Sequence, residues 1–274
     1  MSEGTFSKYG KRTLIYAFLI VMSIISVFPL YWCFVSSSNT TAEILGGKMI
    51  PGAHLIENLQ NLFDQQDVIN AFKNSVINTA LVLVLSLVIT SIAGYGFEIF
   101  HDKVKDAVMA LLMMSMMVPF VAILVPLFQM FTTMGFVNKY IGFILPSLST
   151  PFLIMMFRNN ARTFPKEVIE AARVDGLSEV GIFARMFVPM MRPTFAAAAT
   201  ITFMNTWNAY LWPKVVLQTA DSTTMPMLVA NLMGGYVIDY GVVMAGVTIC
   251  TLPTVIVFFF LQKSFTEAVA GAVK

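Results

Sequence analysis

Six long stretches without a charged residue dominate this sequence of 274 residues. They cover residues 13–35, 75–97, 107–131, 140–157, 195–212 and 241–261. Each is close to the ~20 apolar residues that an α-helix needs to cross a bilayer. Because a backbone in lipid must satisfy its own hydrogen bonds, the stretches predict an all-α integral membrane protein with six transmembrane helices in a single domain, residues 1–274. The charged fraction of 12% agrees, since soluble domains carry about 25%.

The first stretch follows Lys8, Lys11 and Arg12, as the apolar core of a cleaved signal peptide would. It is too long for that role, and no small-residue cleavage site follows it. We therefore expect it to remain as a membrane span.

The basic residues predict the orientation of these spans. With the amino terminus in the cytoplasm, thirteen of the 17 Lys and Arg residues lie on the cytoplasmic side, and only Lys48, Lys73, Lys139 and Lys214 lie outside. The positive-inside rule then places both termini, and the loop of residues 158–192, in the cytoplasm.

Several other classes of protein receive no support. A net charge of +2 with scattered basic residues does not indicate nucleic acid as a partner. Cys33 and Cys250 both lie inside apolar stretches, so we expect neither a disulfide nor a metal site. His54 and His101 lie outside the spans without paired carboxylates or metal-ligand spacing, which indicates a chain that is not an enzyme.

Two segments on the predicted outer side are long enough to form structure. Residues 36–74 contain an amphipathic pattern from Leu55 to Phe72, which predicts a helix lying along the outer surface. Residues 213–240 contain the polar run 219–224 and then Gly234 and Gly235, a composition typical of a loop that reaches an external partner.

Prolines recur within or beside the spans, and each removes a backbone donor, which favours a kink or a break. They are Pro119, Pro126, Pro146, Pro151 and Pro253. Proline is also commoner in membrane helices generally, so no single one decides the matter.

The cytoplasmic loop of residues 158–192 predicts a helix, a tight turn and a second helix. Pro165 suits the first turn of a helix, Gly176 suits the left-handed conformation that ends one, and the Ser178 hydroxyl suits the cap of the next.

Spacing places small residues on one side of the first helix of this loop. Val168, Ala171, Ala172 and Asp175 are three or four residues apart and share that side, while Glu170 beside them offers a carboxylate to a basic partner. An alternative is a short amphipathic helix resting on lipid headgroups.

Glu170, Ala171 and Ala172, followed by Asp175 and Gly176, resemble the cytoplasmic "EAA" signature of permease subunits of ATP-binding-cassette (ABC) importers. The surrounding sequence is similar to the carbohydrate branch, and to its maltose-type second permease in particular. The stretches that carry this wider similarity are 157–167, 182–193, 117–127, 142–146, 205–213 and 262–274. One departure is Leu177, where small residues are common in the family.

The resemblance implies the type I ABC importer permease fold, with the coupling loop between transmembrane helices 4 and 5. It implies that Glu170, Ala171, Ala172, Asp175 and Gly176 dock into a cytoplasmic ATPase subunit. It also makes the carboxy-terminal tail a second candidate contact. The tail residues concerned are Phe265, Thr266, Glu267 and Lys274.

The partners implied are a second, homologous permease subunit in a heterodimer, two cytoplasmic ATPase subunits and an extracytoplasmic sugar-binding protein, in the inner or plasma membrane of a prokaryote. The sequence has no Gly-x-x-x-x-Gly-Lys-Ser/Thr phosphate loop, so we expect this chain to bind no cofactor. ATP and magnesium are then expected in the partner ATPase subunits.

A sugar path requires polar groups and aromatic faces inside the bundle, because unpaired hydroxyls are costly to bury. The fifth span offers Asn205, Trp207, Asn208 and Tyr210. Asparagine that bridges helices, and aromatic residues that anchor a span end, are the alternatives for these residues.

An ion-coupled secondary sugar transporter is the alternative function. Such proteins usually need an ionisable group within the membrane, and the six stretches contain none.

Overall fold

The computed structural model describes the backbone of residues 3–271 and the side chains of residues 10–260 and 262. Within these ranges the chain is helical and no strand occurs. The helices are α1 Glu3–Ser36, α2 Thr41–Leu45, α3 Leu55–Gln65, α4 Val68–Ile99, α5 Lys103–Ser115, α6 Phe120–Thr133, α7 Tyr140–Ile144, α8 Pro151–Ala161, α9 Lys166–Val174, α10 Glu179–Ile182, α11 Val188–Met190, α12 Arg192–Trp207, α13 Leu211–Val216, α14 Met225–Leu232 and α15 Tyr240–Gly271.

Three helices are long and apolar enough to cross a membrane by themselves, namely Gly10–Ser36 within α1, the whole of α4, and Tyr240–Phe260 within α15. Two more predicted spans are bent pairs: α5 meets α6 at 100°, and Tyr140–Ser147 meets α8 at 46°. Among the described residues, five spans result if each pair counts as one. The remaining predicted span, 195–212, corresponds mainly to α12, whose 16 residues extend about 24 Å.

The predicted continuous spans 107–131 and 140–157 are therefore broken helices. The breaks occur at prolines, since Pro119 directly precedes α6 and Pro146 and Pro151 flank the second bend. By contrast, Pro126 and Pro253 lie inside α6 and α15. Every proline removes a backbone hydrogen-bond donor. The sequence pattern does not reveal which prolines end a helix and which lie inside one.

The chain divides into two compact units. Unit 1 comprises Met1–Asp67 and Val229–Thr251, and unit 2 comprises Val68–Leu228 and Leu252–Lys274. The single domain over residues 1–274 stays a prediction.

Buried amide groups hold the predicted outer segment of unit 1 together. The Asn39 Nδ2 donates to the carbonyls of Val35 (3.0 Å) and Ile50 (3.1 Å), and the Asn58 Nδ2 donates to those of Ser37 (2.9 Å) and Asn39 (3.0 Å). Asn58 belongs to α3, the amphipathic helix predicted in this segment. That helix ends at Gln65, so the apolar pattern beyond it belongs to α4.

In unit 2, α4 packs against α8 at a crossing where the two backbones almost touch. A Cβ atom on Gly94 would lie 2.5 Å from the Phe157 Cβ and 2.8 Å from both the Arg158 nitrogen and the Ile154 oxygen. Small residues permit such close approach between membrane helices, where packing rather than the hydrophobic effect drives association. This crossing fixes the end of α4 against the end of α8.

A second cluster lies toward the opposite end of α4. The Trp212 indole donates to the Gly142 carbonyl (3.0 Å) and packs edge-on against Phe131, with ring centroids 5.3 Å apart. A Cβ atom on Gly142 would collide with the Phe136 carbonyl oxygen, so glycine is required there. The cluster joins α6, α7 and α13 to α4 through Val82.

We expect Gly94→Ala to lower the stability of the protein by about 1–3 kcal/mol, because the new methyl group collides with the backbone of α8. Gly96→Ala is the matched control, since its Cβ would meet nothing within 4 Å. Alanine also favours a helix over glycine, so the control is expected to be neutral or slightly stabilising. Thermal unfolding of the purified protein in detergent measures both, and equal melting temperatures would contradict the close crossing.

Candidate functional site

The predicted helix, turn and helix of the 158–192 loop are confirmed in unit 2. At the end of α9, Gly176 has φ of +80°, a left-handed conformation that favours glycine. The Leu177 nitrogen donates to the Ala172 carbonyl (3.0 Å), and the Asp175 nitrogen donates to the Ala171 carbonyl (2.9 Å). These bonds satisfy carbonyls that the helix end leaves without partners.

Two polar contacts then fix the start of α10. The Ser178 hydroxyl accepts a hydrogen bond from the Gly181 nitrogen (3.2 Å), as a helix cap does. The Arg173 Nε donates to the Glu179 carboxylate across the turn (2.7 Å), and this bond raises the pKa of the Arg173 guanidinium. Beyond Ile182 the helix widens into a π-turn, Phe183–Phe187.

The inner side of this loop packs on the protein itself. Ile169, Ala172, Ile182 and Phe187 are buried in one cluster with Tyr95 of α4. The rings of Tyr95 and Phe187 meet edge-on with centroids 4.9 Å apart. The alternative of a helix resting on headgroups requires a free apolar face, whereas the apolar face of α9 is covered by protein.

The exposed side of the loop differs from the predicted one at Ala172, and Val168 of the predicted side is partly buried against the same cluster. Glu170, Ala171, Asp175 and Gly176 are exposed as expected, but Ala172 is only 3% exposed. The small side chain of Ala172 lets α9 lie close to the cluster beneath it, and its predicted docking role stays a prediction.

Two apolar side chains that were not predicted from the sequence complete this exposed surface. Val174 is 87% exposed and Val180 is 77% exposed, one on each side of the turn. Val174 and Val180 stand two and four residues from the turn glycine Gly176, and apolar residues so close to a turn were the available signal. Together with Glu170, Ala171 and Asp175 they form what we call the loop face.

A buried arginine joins three helices beneath the loop. The Arg158 side chain of α8 is 4% exposed, its Nε donates to Glu98 of α4 (3.2 Å), and its terminal nitrogen pairs with Asp106 of α5. Glu98 also accepts from Arg162 (3.2 Å), and Asp106 contacts His101 (2.9 Å). These five residues, the ion-pair network, were not predicted from the sequence because the Arg158 pairs join positions 52 and 60 apart.

A groove of about 550 Å³ separates the ion-pair network from α9. Its charged lining residues carry both signs, and they are Glu98, Arg162, Lys166, Glu170 and Arg173. Such a mixed lining suits charged side chains of a protein partner. Within the described residues, no three His, Cys, Asp or Glu side chains are arranged to hold a metal ion.

The four predicted path residues have different surroundings. Asn205 lines a cavity of about 490 Å³. Trp207 does not reach it, because it is 2% exposed and packed between Phe72 and Phe203, each with centroids 5.7 Å away.

Asn208 and Tyr210 lie beyond the end of α12. The Asn208 Nδ2 donates to the Met204 carbonyl (2.8 Å), and Tyr210 is 41% exposed just before α13. Polar groups that share the cavity with Asn205 are Ser147, Thr150, Thr202 and Thr206.

The predicted tail contact lies outside the described residues. This applies to the side chains of Phe265, Thr266 and Glu267 and to the whole of Lys274.

Comparison with known proteins gives a consistent result. The family described as "Binding-protein-dependent transport system inner membrane component" matches residues 86–271. The chain is 41% identical to the lactose transport system permease protein LacG of Rhizobium radiobacter, over 94% of this chain and 95% of LacG. It is 34% identical to the arabinooligosaccharides transport system permease protein AraQ of Halalkalibacterium halodurans, over 92% and 93% of the two chains.

A solved structure shares the fold. It is a chain from the crystal structure of a bacterial ABC transporter involved in the import of the acidic polysaccharide alginate, with a TM-score of 0.82. The match covers 94% of this chain and 98% of that one at 18% identity, which shows the fold alone.

We expect Arg158→Met to destabilise the protein by about 3 kcal/mol, because it leaves the Glu98 and Asp106 carboxylates without their buried partner. Arg162→Met is the matched control. Its side chain is 53% exposed and bonds to the same Glu98, so we expect a loss below about 1 kcal/mol. Thermal unfolding in detergent compares the two, and a larger effect at Arg162 would show that the buried arginine is not the central member.

Proposed function

We propose, because this chain belongs to the family of binding-protein-dependent transport system inner membrane components, that it is a membrane-spanning permease subunit of an ABC importer for a sugar or oligosaccharide. The observation that carries the sugar class is the similarity to lactose and arabinooligosaccharide permeases over more than nine-tenths of the chain. The alternative of an ion-coupled secondary sugar transporter receives no support from this family. The apolar helices and the family place the protein in a membrane that it crosses several times.

The proposed division of labour assigns ATP hydrolysis to other subunits. Two cytoplasmic ATPase subunits bind ATP and magnesium, a second homologous permease completes a heterodimer, and an external binding protein delivers the sugar. Both chain termini then lie in the cytoplasm, which the distribution of basic residues supports.

The loop face is the proposed contact with the ATPase. It is exposed, it carries apolar and acidic groups side by side, and its inner side is anchored on Tyr95 of α4. A movement of the ATPase against this surface is thereby passed to α4 and, through the ion-pair network, to α5 and α8. The loop face thus transmits force and performs no chemistry.

The cavity beside Asn205 is the proposed place where this chain lines the sugar path. Its walls combine an amide and several hydroxyl groups with the rings of Phe120, Phe143 and Trp212. Sugars match such walls, because their hydroxyls need hydrogen-bond partners and their ring faces stack on aromatic surfaces. Trp207 does not line the proposed path, since its ring is buried between two phenylalanines.

We expect Val174→Asp to abolish ATP-driven sugar uptake and to reduce co-purification of the ATPase subunits at least tenfold, because a buried carboxylate at a protein contact is strongly unfavourable. The substitution should leave the fold intact, since the side chain is 87% exposed. Val237→Asp is the matched control, being 91% exposed in the predicted outer segment, and it should retain the ATPase subunits.

The measurement is affinity purification of the co-expressed transporter, together with uptake of a panel of radiolabelled sugars into proteoliposomes. Undiminished ATPase retention by Val174→Asp would exclude the loop face as the docking surface. Failure of the unmodified transporter to import any sugar would exclude the sugar class.

We expect Asn205→Leu to lower uptake about tenfold without loss of assembly, because it removes a polar group from the wall of the path. Asn208→Leu is the control, because the Asn208 amide bonds to its own helix and lies outside this cavity. Uptake by the assembled complexes compares the two variants. Equal uptake would remove Asn205 from the path.

A further inference from the structure

A second polar pocket, which we call the outer pocket, lies near the amino-terminal end of α4. It has a volume of about 350 Å³, and the residues that matter for its chemistry are Asn78, Lys139, Tyr140, Thr219, Asp221 and Ser222. This volume is within the range of small-molecule sites. Neither the coupling role nor the cavity beside Asn205 accounts for it.

The outer pocket lies a membrane thickness away from the loop. Asn78 and Glu98 belong to the single helix α4, and the length of helix between them is about 30 Å. That length equals the hydrocarbon thickness of a bilayer. With the loop in the cytoplasm, the pocket opens on the side from which a substrate arrives.

Hydrogen bonds from the backbone and from Asn74 hold the walls of the outer pocket in place. The Asn74 Nδ2 donates to the carbonyls of Asp221 (2.7 Å) and Thr223 (3.0 Å), which holds the 219–224 segment against α4. On the other side, the Asn138 nitrogen donates to the Val216 carbonyl (2.9 Å) next to Lys139. The pocket is therefore a fixed feature of unit 2.

Asn78 carries an atom that these hydrogen bonds leave without a partner. The residue is 2% exposed, it lines the pocket, and its Oδ1 has no hydrogen-bond partner among the described residues. A buried amide left in this state is costly, so its presence needs an explanation. A half-turn of the side-chain amide exchanges its oxygen for its NH₂ group, so Asn78 can meet either a donor or an acceptor.

The remaining lining indicates the chemical class of the ligand. Lys139 and Asp221 contribute one charge of each sign, which favours a neutral ligand over an ion. Thr219 and Ser222 add hydroxyl groups, and Tyr140 is 50% exposed, so it offers a ring face at the rim. An amide, hydroxyl groups, charges of both signs and an aromatic face together match the hydroxyl groups and the apolar face of a sugar ring.

We propose that the outer pocket is a subsite that binds one neutral sugar ring before the sugar reaches the cavity beside Asn205. The inference rests on the proposed function, because it takes the cargo to be a sugar. It assigns Asn78 a role in binding, whereas Asn74, one turn earlier on α4, holds the 219–224 segment in place.

The test uses the complete transporter, purified without its binding protein, and a radiolabelled sugar that the unmodified transporter imports. Equilibrium dialysis should show that Asn78→Leu raises the Kd for this sugar about fivefold, the loss expected for one hydrogen bond. Tyr140→Ala at the rim should raise it in the same direction and keeps the test valid if Asn78→Leu fails to assemble. Ser86→Ala is the matched control, being fully buried on the same helix with an unpartnered hydroxyl but outside the pocket.

The possible outcomes distinguish failure of the sugar subsite from failure of the proposed sugar-import function. No sugar uptake by the unmodified transporter would overturn the proposed function. If the unmodified transporter imports sugar but both pocket variants have an unchanged Kd, the sugar subsite alone is overturned. The same follows if the unmodified transporter imports sugar but binds none in dialysis. A third outcome would also overturn the sugar subsite. In it, the pocket variants keep an unchanged sugar Kd but need a higher concentration of binding protein to stimulate ATP hydrolysis. The pocket would then receive a side chain of the binding protein.

Discussion

The crossing of α4 and α8 at Gly94 governs the arrangement of unit 2. Because no side chain separates the two backbones there, Arg158 comes within hydrogen-bonding reach of Glu98 one turn further along α4. Tyr95, the residue next to Gly94, packs against Phe187 of the loop. In lipid, apolar side chains gain little by leaving one apolar medium for another, so a close crossing and a paired charge supply the order that burial supplies in water.

Polar groups are distributed along α4 in a way that matches the proposed roles of its two ends. The end near the loop carries Glu98, whose carboxylate is paired with Arg158 and Arg162. In the middle, the Thr90 hydroxyl bonds within the helix, to the Ser86 carbonyl (2.6 Å). The other end carries amides that hold the 219–224 segment and line the outer pocket. One rigid helix thus links a surface suited to a protein partner with a pocket suited to a small neutral ligand.

Local features of the loop were predictable because they depend on neighbouring residues. The left-handed conformation at Gly176 and the Ser178 cap involve hydrogen bonds between residues three to five positions apart, and the sequence indicated both. The burial of Ala172 was not predictable in this way, because spacing shows which residues share a side but not what covers that side. The same limit applies to Asn205 and Trp207, which are near neighbours on α12 but lie in a cavity wall and in a packed aromatic cluster respectively.

The sequence by itself determined that this is a multi-span helical membrane protein, where its helices lie approximately, and how the loop of residues 158–192 turns. These properties follow from hydrophobic length and from short-range backbone hydrogen bonds, which the chain carries wherever it folds. The tertiary structure alone decided that prolines break two of the spans, that Val174 and Val180 are exposed beside the turn, and that Arg158 pairs with Glu98 and Asp106. It also decided that Asn78 faces the outer pocket. Such relations depend on segments far apart in the chain approaching within a few ångströms, and no local periodicity encodes that approach.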